Sequence, residues 1–444
     1  MTKESVLRSL LLMFKFLKRQ SNSRIILLGF LLTILIGSGL LLLPFCVKEG
    51  VHLSYIDSLY TSTSAVCVTG LVVVDVADTF TIFGQIIVAL LIKIGGLGVT
   101  TLGAGIIIAF HKKMNLKGFS LISDSYNPST KTGLKNLVKS IFFTTSAFEL
   151  VGALLCLPSF LQGRNFFDGL WISIFHSIAS FNNAGFDVLG NFQSLGAYSG
   201  DVLVNVVTCL LVFFGGIGFL VIKEIFAKKF NFKRYSMHSK IVLTTSFILI
   251  IFGTGLLLIS DDVTFLEALF TSISARTAGF ATAPISMLSK AGLLVIMILM
   301  FIGASPGSTG GGIKTSTLFV LAKSVHSSAS GKREKAFKYS IPSNAIKKAS
   351  VILTLSIAVV ALGTLLVSLI EPDLAFVDVL FETVSAFGTV GLSTGITTTL
   401  TVFSKIIYII IMFIGRLGPL TVYSAWTYAS VERISYPEGN VSIG

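Results

Sequence analysis

Apolar residues fill this chain in long runs, and the polar residues between them come in short bursts. Uncharged apolar stretches long enough to cross a bilayer occupy 25–47, 202–222, 241–260, 291–313 and 349–370. Three more, 79–110, 141–162 and 406–431, are each interrupted by one charge, Lys93, Glu149 and Arg416 respectively. Crossing the hydrocarbon core as a helix takes about 20 residues, so the pattern predicts eight spans. Shorter apolar stretches lie between the paired spans, too brief to cross, and each runs into a loop of small residues ending in glycine.

These four loops read Ser64-Ala65-Val66-Cys67-Val68-Thr69-Gly70-Leu71, Ser180-Phe181-Asn182-Asn183-Ala184-Gly185-Phe186, Ser274-Ala275-Arg276-Thr277-Ala278-Gly279-Phe280 and Ser385-Ala386-Phe387-Gly388-Thr389-Val390-Gly391-Leu392. Each is followed in the next span by a second glycine cluster, beginning at Gly95, Gly215, Gly303 and Gly415, at offsets of 25, 30, 24 and 24 residues. Self-similarity at a fixed period marks a repeat. The expected fold is an all-α integral membrane protein with four pseudo-repeats around a central pore. Each unit is an entering helix, a re-entrant half-helix with its loop, and a returning helix, over 20–112, 135–230, 238–328 and 345–432, with a tail at 433–444.

Non-helical backbone at membrane depth survives only where protein buries it or water reaches it, so the four loops are expected to converge. Glycine lets the main chain turn its oxygens inward, and a ring of carbonyls can replace the water around a cation such as potassium. The candidate ligands are the carbonyls of Cys67, Val68, Thr69 and Gly70, of Asn182, Asn183, Ala184 and Gly185, of Arg276, Thr277, Ala278 and Gly279, and of Gly388, Thr389, Val390 and Gly391. The competing reading gives these glycines only a packing role between helices. Asp57, Asp168, Glu267 and Asp378 lie just before the half-helices, where an acid caps free amides and suits the dipole.

The third returning span is broken by Gly303-Ala304-Ser305-Pro306-Gly307-Ser308-Thr309-Gly310-Gly311-Gly312, a sequence that disfavours a continuous helix. It is expected to be a loop beneath the ring, acting as a gate with Lys314 and Arg416, or else a static kink. Arg416 would set a positive charge below the ring or bond loop carbonyls. Lys314 is expected to extend toward the inner surface, and Glu149 to partner a basic group between helices, while Lys93 has no evident role. The stretch from Gly307 to Lys314 is not a phosphate-binding loop, because Ile313 separates Gly312 from Lys314.

Composition narrows the class further. With 53% hydrophobic and 12% charged residues, the chain could not be hidden in an ordinary soluble domain. The net charge of +13 sorts by side once the amino terminus is placed inside. Basic clusters at 3–24, 112–139, 223–240 and 323–348, with Arg433, fall on the cytoplasmic segments and most acids fall outside. That is the positive-inside pattern of a multi-pass protein with both termini cytoplasmic, not a nucleic-acid surface. Cys46, Cys67, Cys156 and Cys209 show no metal-binding spacing, so no cofactor is expected. No nucleotide site is visible, which disfavours a primary pump or another enzyme. An ion-coupled secondary transporter of another small solute stays open, since broken helices also build such sites.

The filter loops and Phe413-Ile414-Gly415-Arg416-Leu417-Gly418-Pro419-Leu420 resemble the Trk/Ktr/HKT superfamily of potassium transporters, most closely the bacterial Ktr-type membrane subunit, as does the tail Tyr436-Pro437-Glu438-Gly439. The resemblance implies one potassium pore per subunit, a homodimer, an intramembrane gating loop at 303–314, a cytosolic ring of nucleotide-binding, Rossmann-type regulatory subunits, and often stimulation by sodium. It implies Gly70, Gly185, Gly279 and Gly391 as filter glycines and Arg416 as the gate arginine. Serine at the first filter glycine marks sodium-preferring relatives, so Gly70 favours potassium. Cys67 in place of the usual threonine, the charge on Lys93, and Pro306 in the glycine-rich loop depart from the pattern.

Overall fold

A computed structural model describes residues 20–98, 101 and 131–426. The amino-terminal basic cluster apart from Arg24, the end of the first repeat, much of the second basic cluster, Arg433 and the tail Tyr436-Pro437-Glu438-Gly439 lie outside the described residues. Within them the regular elements are helices and one two-stranded hairpin, Lys335–Ala336 with Tyr339–Ser340.

Among the described residues four helices are long and apolar enough to cross a membrane: Asn22–Leu41, residues 136–160 of Lys131–Phe160, Met237–Ser260 and Ser343–Ile370. These are the entering helices. Ser21 and Ser236 start two of them by accepting the backbone N–H of the residue three positions on. Their outward faces expose Leu32, Ile36, Phe143, Ile259 and Leu369, as a surface bathed in lipid requires.

The half-helices Tyr55–Cys67, Phe166–Phe181, Phe265–Ser274 and Phe376–Gly388 follow. The four acids sit inside their first turns, and Thr264 with Glu267 closes a full capping box. Each half-helix is buried, with Tyr60, Phe175, Phe270 and Phe381 forming an aromatic set no more than 1% exposed. The contact with the entering helix repeats as well. Ser62, Ser177 and Ser272 donate to the carbonyls of Ile34, Glu149 and Ile250, and a Cβ on Gly37, Gly152 or Gly253 would lie 2.5 Å from the hydroxyl of Ser62, Ser177 or Ser272, while one on Gly363 would lie 2.5 Å from Ile411 Cδ1.

The returning helices are less uniform than the apolar runs predict. Ile82–Leu97 ends at Gly98, whose φ is +80°. The second span bends by 102° between Val202–Ile217 and Phe219–Ala227, and the fourth by 95° between Val402–Leu417 and Pro419–Trp426. The bends fall at Gly218 (φ +92°) and Gly418 (φ +84°), in a region that side chains rarely adopt. The third span is interrupted completely, between Lys290–Phe301 and Thr315–Ala329. The last returning helix closes on the first repeat, where Lys405 Nζ lies 2.7 Å from Asp57 Oδ1.

Candidate functional site

All four half-helices end at one place. Two residues before each loop glycine stand Val68, Asn183, Thr277 and Thr389, all left-handed, with φ of +58°, +57°, +85° and +50°. The glycines Gly70, Gly185, Gly279 and Gly391 are left-handed as well. A Cβ added to Gly70 would lie 2.9 Å from the Gly185 Cα, one on Gly185 3.1 Å from the Gly279 Cα, one on Gly279 3.0 Å from the Gly391 Cα, and one on Gly391 2.9 Å from the Gly70 Cα. Neighbour follows neighbour around a closed ring of four. The nearest atom to each added Cβ is the carbonyl oxygen of Ala184, Ala278, Val390 or Thr69 in turn.

The amides point the other way. Thr69, Ala184, Ala278 and Val390 donate their N–H groups to Ser64, Ala179, Ser274 and Ser385, at 2.8, 2.8, 2.8 and 3.0 Å, back into their own half-helices. Gly70 and Gly391 donate to the Ser64 and Ser385 hydroxyls at 3.0 and 3.1 Å. Among the described residues no donor reaches the carbonyls of Thr69, Ala184, Ala278 and Val390. The result is a ring of free carbonyl oxygens at the negative ends of four helix dipoles, suited to a desolvated cation and hostile to an anion. Arg276 does not spoil this. Its guanidinium turns outward to the Ser246 carbonyl and hydroxyl, at 3.3 and 3.1 Å.

Outside the ring opens a cavity of about 840 Å³ lined by all four loop glycines and by Asp75 and Asp187. Asp75 also accepts the Phe192 N–H at 2.8 Å, and Asp78 the Asn191 N–H at 3.0 Å, which ties the wall together. Burial pushes the Asp187 carboxyl up to about 6, and the charges of Asp75 and Asp78 act in the same direction against the Leu189 N–H bond. Neither Asp75 nor Asp187 was among the expected site residues, although an acid two positions past a loop glycine was a visible signal.

Beneath the ring, three returning helices dock alike. Gly95, Gly215 and Gly415 face the carbonyls of Val66, Phe181 and Phe387 so closely that no Cβ fits. The third repeat departs, because Gly303 packs on Gly311 within its own broken segment. That segment crosses under the neighbouring loops. Ser305 and Thr309 donate N–H groups to Gly216 and Gly215 at 2.9 and 3.2 Å, the Thr309 hydroxyl reaches the Phe181 carbonyl at 3.3 Å, and the Gly311 N–H reaches Thr389 Oγ1 at 3.0 Å. Gly310 packs on Thr277. At the outer bend of the segment, Phe219 donates to the Gly307 carbonyl next to Pro306, while Ala304 and Ser305 are buried and Ser308 turns back on Ser305.

Two cations hold this segment. Arg416 donates to the carbonyls of Thr309 and Gly95. Lys314 donates to those of Gly310 and Gly311 at 2.7 and 3.4 Å instead of extending to the inner surface, because the carbonyls of the buried glycine run offer it partners nearby. Gly312, at φ +66°, sits where the chain turns back toward Gly303. The ring, the segment and Arg416 are thus one connected assembly. Among the described residues no cluster of His, Cys, Asp or Glu could hold a metal ion, and all four cysteines are free thiols.

Residues 18–259 and 240–430 match the TrkH family, described as cation transport protein. The chain belongs to that family. It is 39% identical over 439 residues to the Ktr system potassium uptake protein B of Bacillus subtilis (strain 168), covering 96% of this chain and 97% of that one. It is 36% identical to the potassium/sodium uptake protein NtpJ of Enterococcus hirae, over 96% of this chain and 98% of that protein. The crystal structure of the potassium transporter TrkH from Vibrio parahaemolyticus shares the fold, with a TM-score of 0.73 at 19% identity, over 92% of this chain and 86% of that one.

Proposed function

We propose that this chain takes up potassium across the cytoplasmic membrane through the ring formed by the four loops, with the segment at 303–314 and Arg416 as its gate. The observation that carries the reading is the closed sequence of contacts from Gly70 through Gly185, Gly279 and Gly391 back to Gly70, with the carbonyls of Thr69, Ala184, Ala278 and Val390 left without donors. Potassium arriving in the acidic outer cavity exchanges its water for these oxygens at closely similar energy. Four half-helix carboxyl ends add negative potential where the ion is barest. Below, Arg416 and Lys314 place positive charge on the segment under the ring, which raises the barrier to a cation while the segment stays in place.

The names of the Bacillus and Enterococcus relatives support potassium as the cargo. We extend the proposal to a homodimer regulated by a cytosolic ring of nucleotide-binding, Rossmann-type subunits, with both termini cytoplasmic. Stimulation by sodium is part of it; the Enterococcus name pairs sodium with potassium as an ion taken up. A coupled transporter of an organic solute fits less well, since four loops meeting at free carbonyls leave no side-chain set to recognise one.

The test is rescue of a potassium-uptake-deficient bacterium at low external potassium. The natural chain is expected to rescue, and Gly70→Ser and Gly185→Ser are expected to lose growth or admit sodium. Unchanged rescue by both variants would remove the ring from the ion path.

A further inference from the structure

Where half-helix, entering helix and returning helix meet, two positions are apolar in three of the four repeats and charged at one seam. On the entering helices, three positions before Gly37, Gly253 and Gly363, stand Ile34, Ile250 and Val360; before Gly152 stands Glu149. On the returning helices, two positions before Gly215, Gly303 and Gly415, stand Phe213, Phe301 and Phe413; before Gly95 stands Lys93. Two aliphatic and aromatic positions have become an acid and a base together, and they meet. Lys93 Nζ lies 2.6 Å from Glu149 Oε2.

The pair does not end there. The other carboxylate oxygen, Glu149 Oε1, accepts a hydrogen bond of 2.9 Å from Asn182 Nδ2, in the second loop, three positions before Gly185. Asn182 is completely buried, and its Nδ2 also reaches the Ile178 carbonyl at 2.9 Å. From the first returning helix, Gly96 closes on the Asn182 side chain so tightly that a Cβ there would lie 2.8 Å from its Cγ. Lys93 and Gly96, one turn apart on one face, therefore grip the second loop directly at Gly96 and through Glu149. A charged pair within a membrane is costly unless each member is hydrogen bonded, and here both carboxylate oxygens are occupied.

We propose that Lys93 and Glu149 are positioning residues for the second loop: through Asn182 they set the height and tilt of the strand that presents the Ala184 carbonyl, and so tune discrimination between potassium and sodium. The proposal rests on the reading of the ring as the ion path. The Ser64 hydroxyl on Gly70, Arg276 on Ser246 and the Ser385 hydroxyl on Gly391 each act within one repeat, whereas the second loop is held by an ion pair whose two members come from different repeats. The ring is then four-part but not four-fold, and its second strand is tied to two repeats at once.

The decisive variant restores the seam of the other repeats, Lys93→Phe with Glu149→Ile, in the full chain reconstituted in liposomes and read by rubidium and sodium uptake. It removes both charges together, so neither is left buried alone. The double variant is expected to insert and conduct, with the ratio of rubidium to sodium uptake reduced about tenfold, and Asn182→Ala added to it is expected to change that ratio no further. Asn182→Ala by itself, with both charges present, is expected to reproduce the same loss, which gives a second reading should the double variant not insert. A natural ratio in the double variant or in Asn182→Ala, or losses from the two that multiply, would overturn the tether. Absence of rubidium uptake by the natural chain would instead overturn the reading on which it rests.

Discussion

The ring loops and the segment beneath them are both glycine-rich and both buried, but their hydrogen bonds run to different places. Each loop bonds its amides to its own half-helix, within five residues of sequence, as in Thr69 to Ser64 and Ala184 to Ala179. The segment at 303–314 bonds Ala304, Ser308 and Ile313 within its own repeat but sends three amides to other repeats, from Ser305 and Thr309 to Gly216 and Gly215, and from Gly311 to Thr389. Local bonds survive when neighbouring helices shift, whereas bonds across repeats are lost together. One region is held chiefly by its own repeat, and the other depends on its neighbours for part of its bonding.

The hardest way to break this contrast is to deform the part that should not move. Gly391 combines a φ of +97° with neighbours that leave no room for a Cβ. Gly391→Ala combines backbone strain of about 1–3 kcal/mol with a clash against the first loop, enough for a loss near a hundredfold. Rubidium uptake by the inserted variant is expected to fall by about that factor. Near-natural uptake would mean that the glycine ring is only a packing device.

Releasing the segment acts in the opposite direction. Arg416→Gln withdraws charged donors from the carbonyls of Thr309 and Gly95, and each lost charge-assisted bond is worth about 1.5–3 kcal/mol. If part of that holds the closed arrangement, uptake should rise about tenfold, and deletion of 304–310 should raise it as well. Thr389→Val, which removes only the acceptor of the Gly311 N–H, should raise it less. A fall in uptake for all three, in protein shown to be inserted, would make the segment a strut and not a gate.

How much of this could be seen in the sequence follows from the same contrast. The loops were legible because glycine and small residues recur at one offset in four repeats, and local bonding depends on local sequence. The interruption after Phe301 was legible from Pro306 and the glycine run. The bends at Gly218 and Gly418 were not, because Gly215-Gly216-Ile217-Gly218 and Gly415-Arg416-Leu417-Gly418 lie in long apolar runs that read as continuous spans until packing decides the backbone angle. Nor were partners that lie far apart in sequence. Glu149 was expected to partner a basic group between helices, but that the group is Lys93, which had no evident role, only the folded chain shows; Lys314, placed at the inner surface by its length and charge, instead finds carbonyls four and three residues back.

The gentlest probe leaves both regions intact and changes the field above them. Asp187 lines the outer cavity beside the loop glycines, and its carboxyl titrates at about 6, well above the usual aspartate range, chiefly because it is buried. Burial favours the neutral acid, so as the external pH falls through about 6 the folded protein gains stability from this group while the cavity loses a negative charge. Uptake at low potassium should therefore drop about twofold between pH 7.5 and 5.5, with the drop weakened by added salt, since it is an effect of local cation concentration. Asp187→Asn should show the lower uptake at both pH values and little dependence on pH between them. Because the change acts before the ion reaches the ring, it should alter the apparent affinity and leave the preference for rubidium over sodium as it was; a shift in that preference would mean that the cavity wall and the ring are mechanically coupled, and that the rigidity assigned to the four loops extends outward to Asp187.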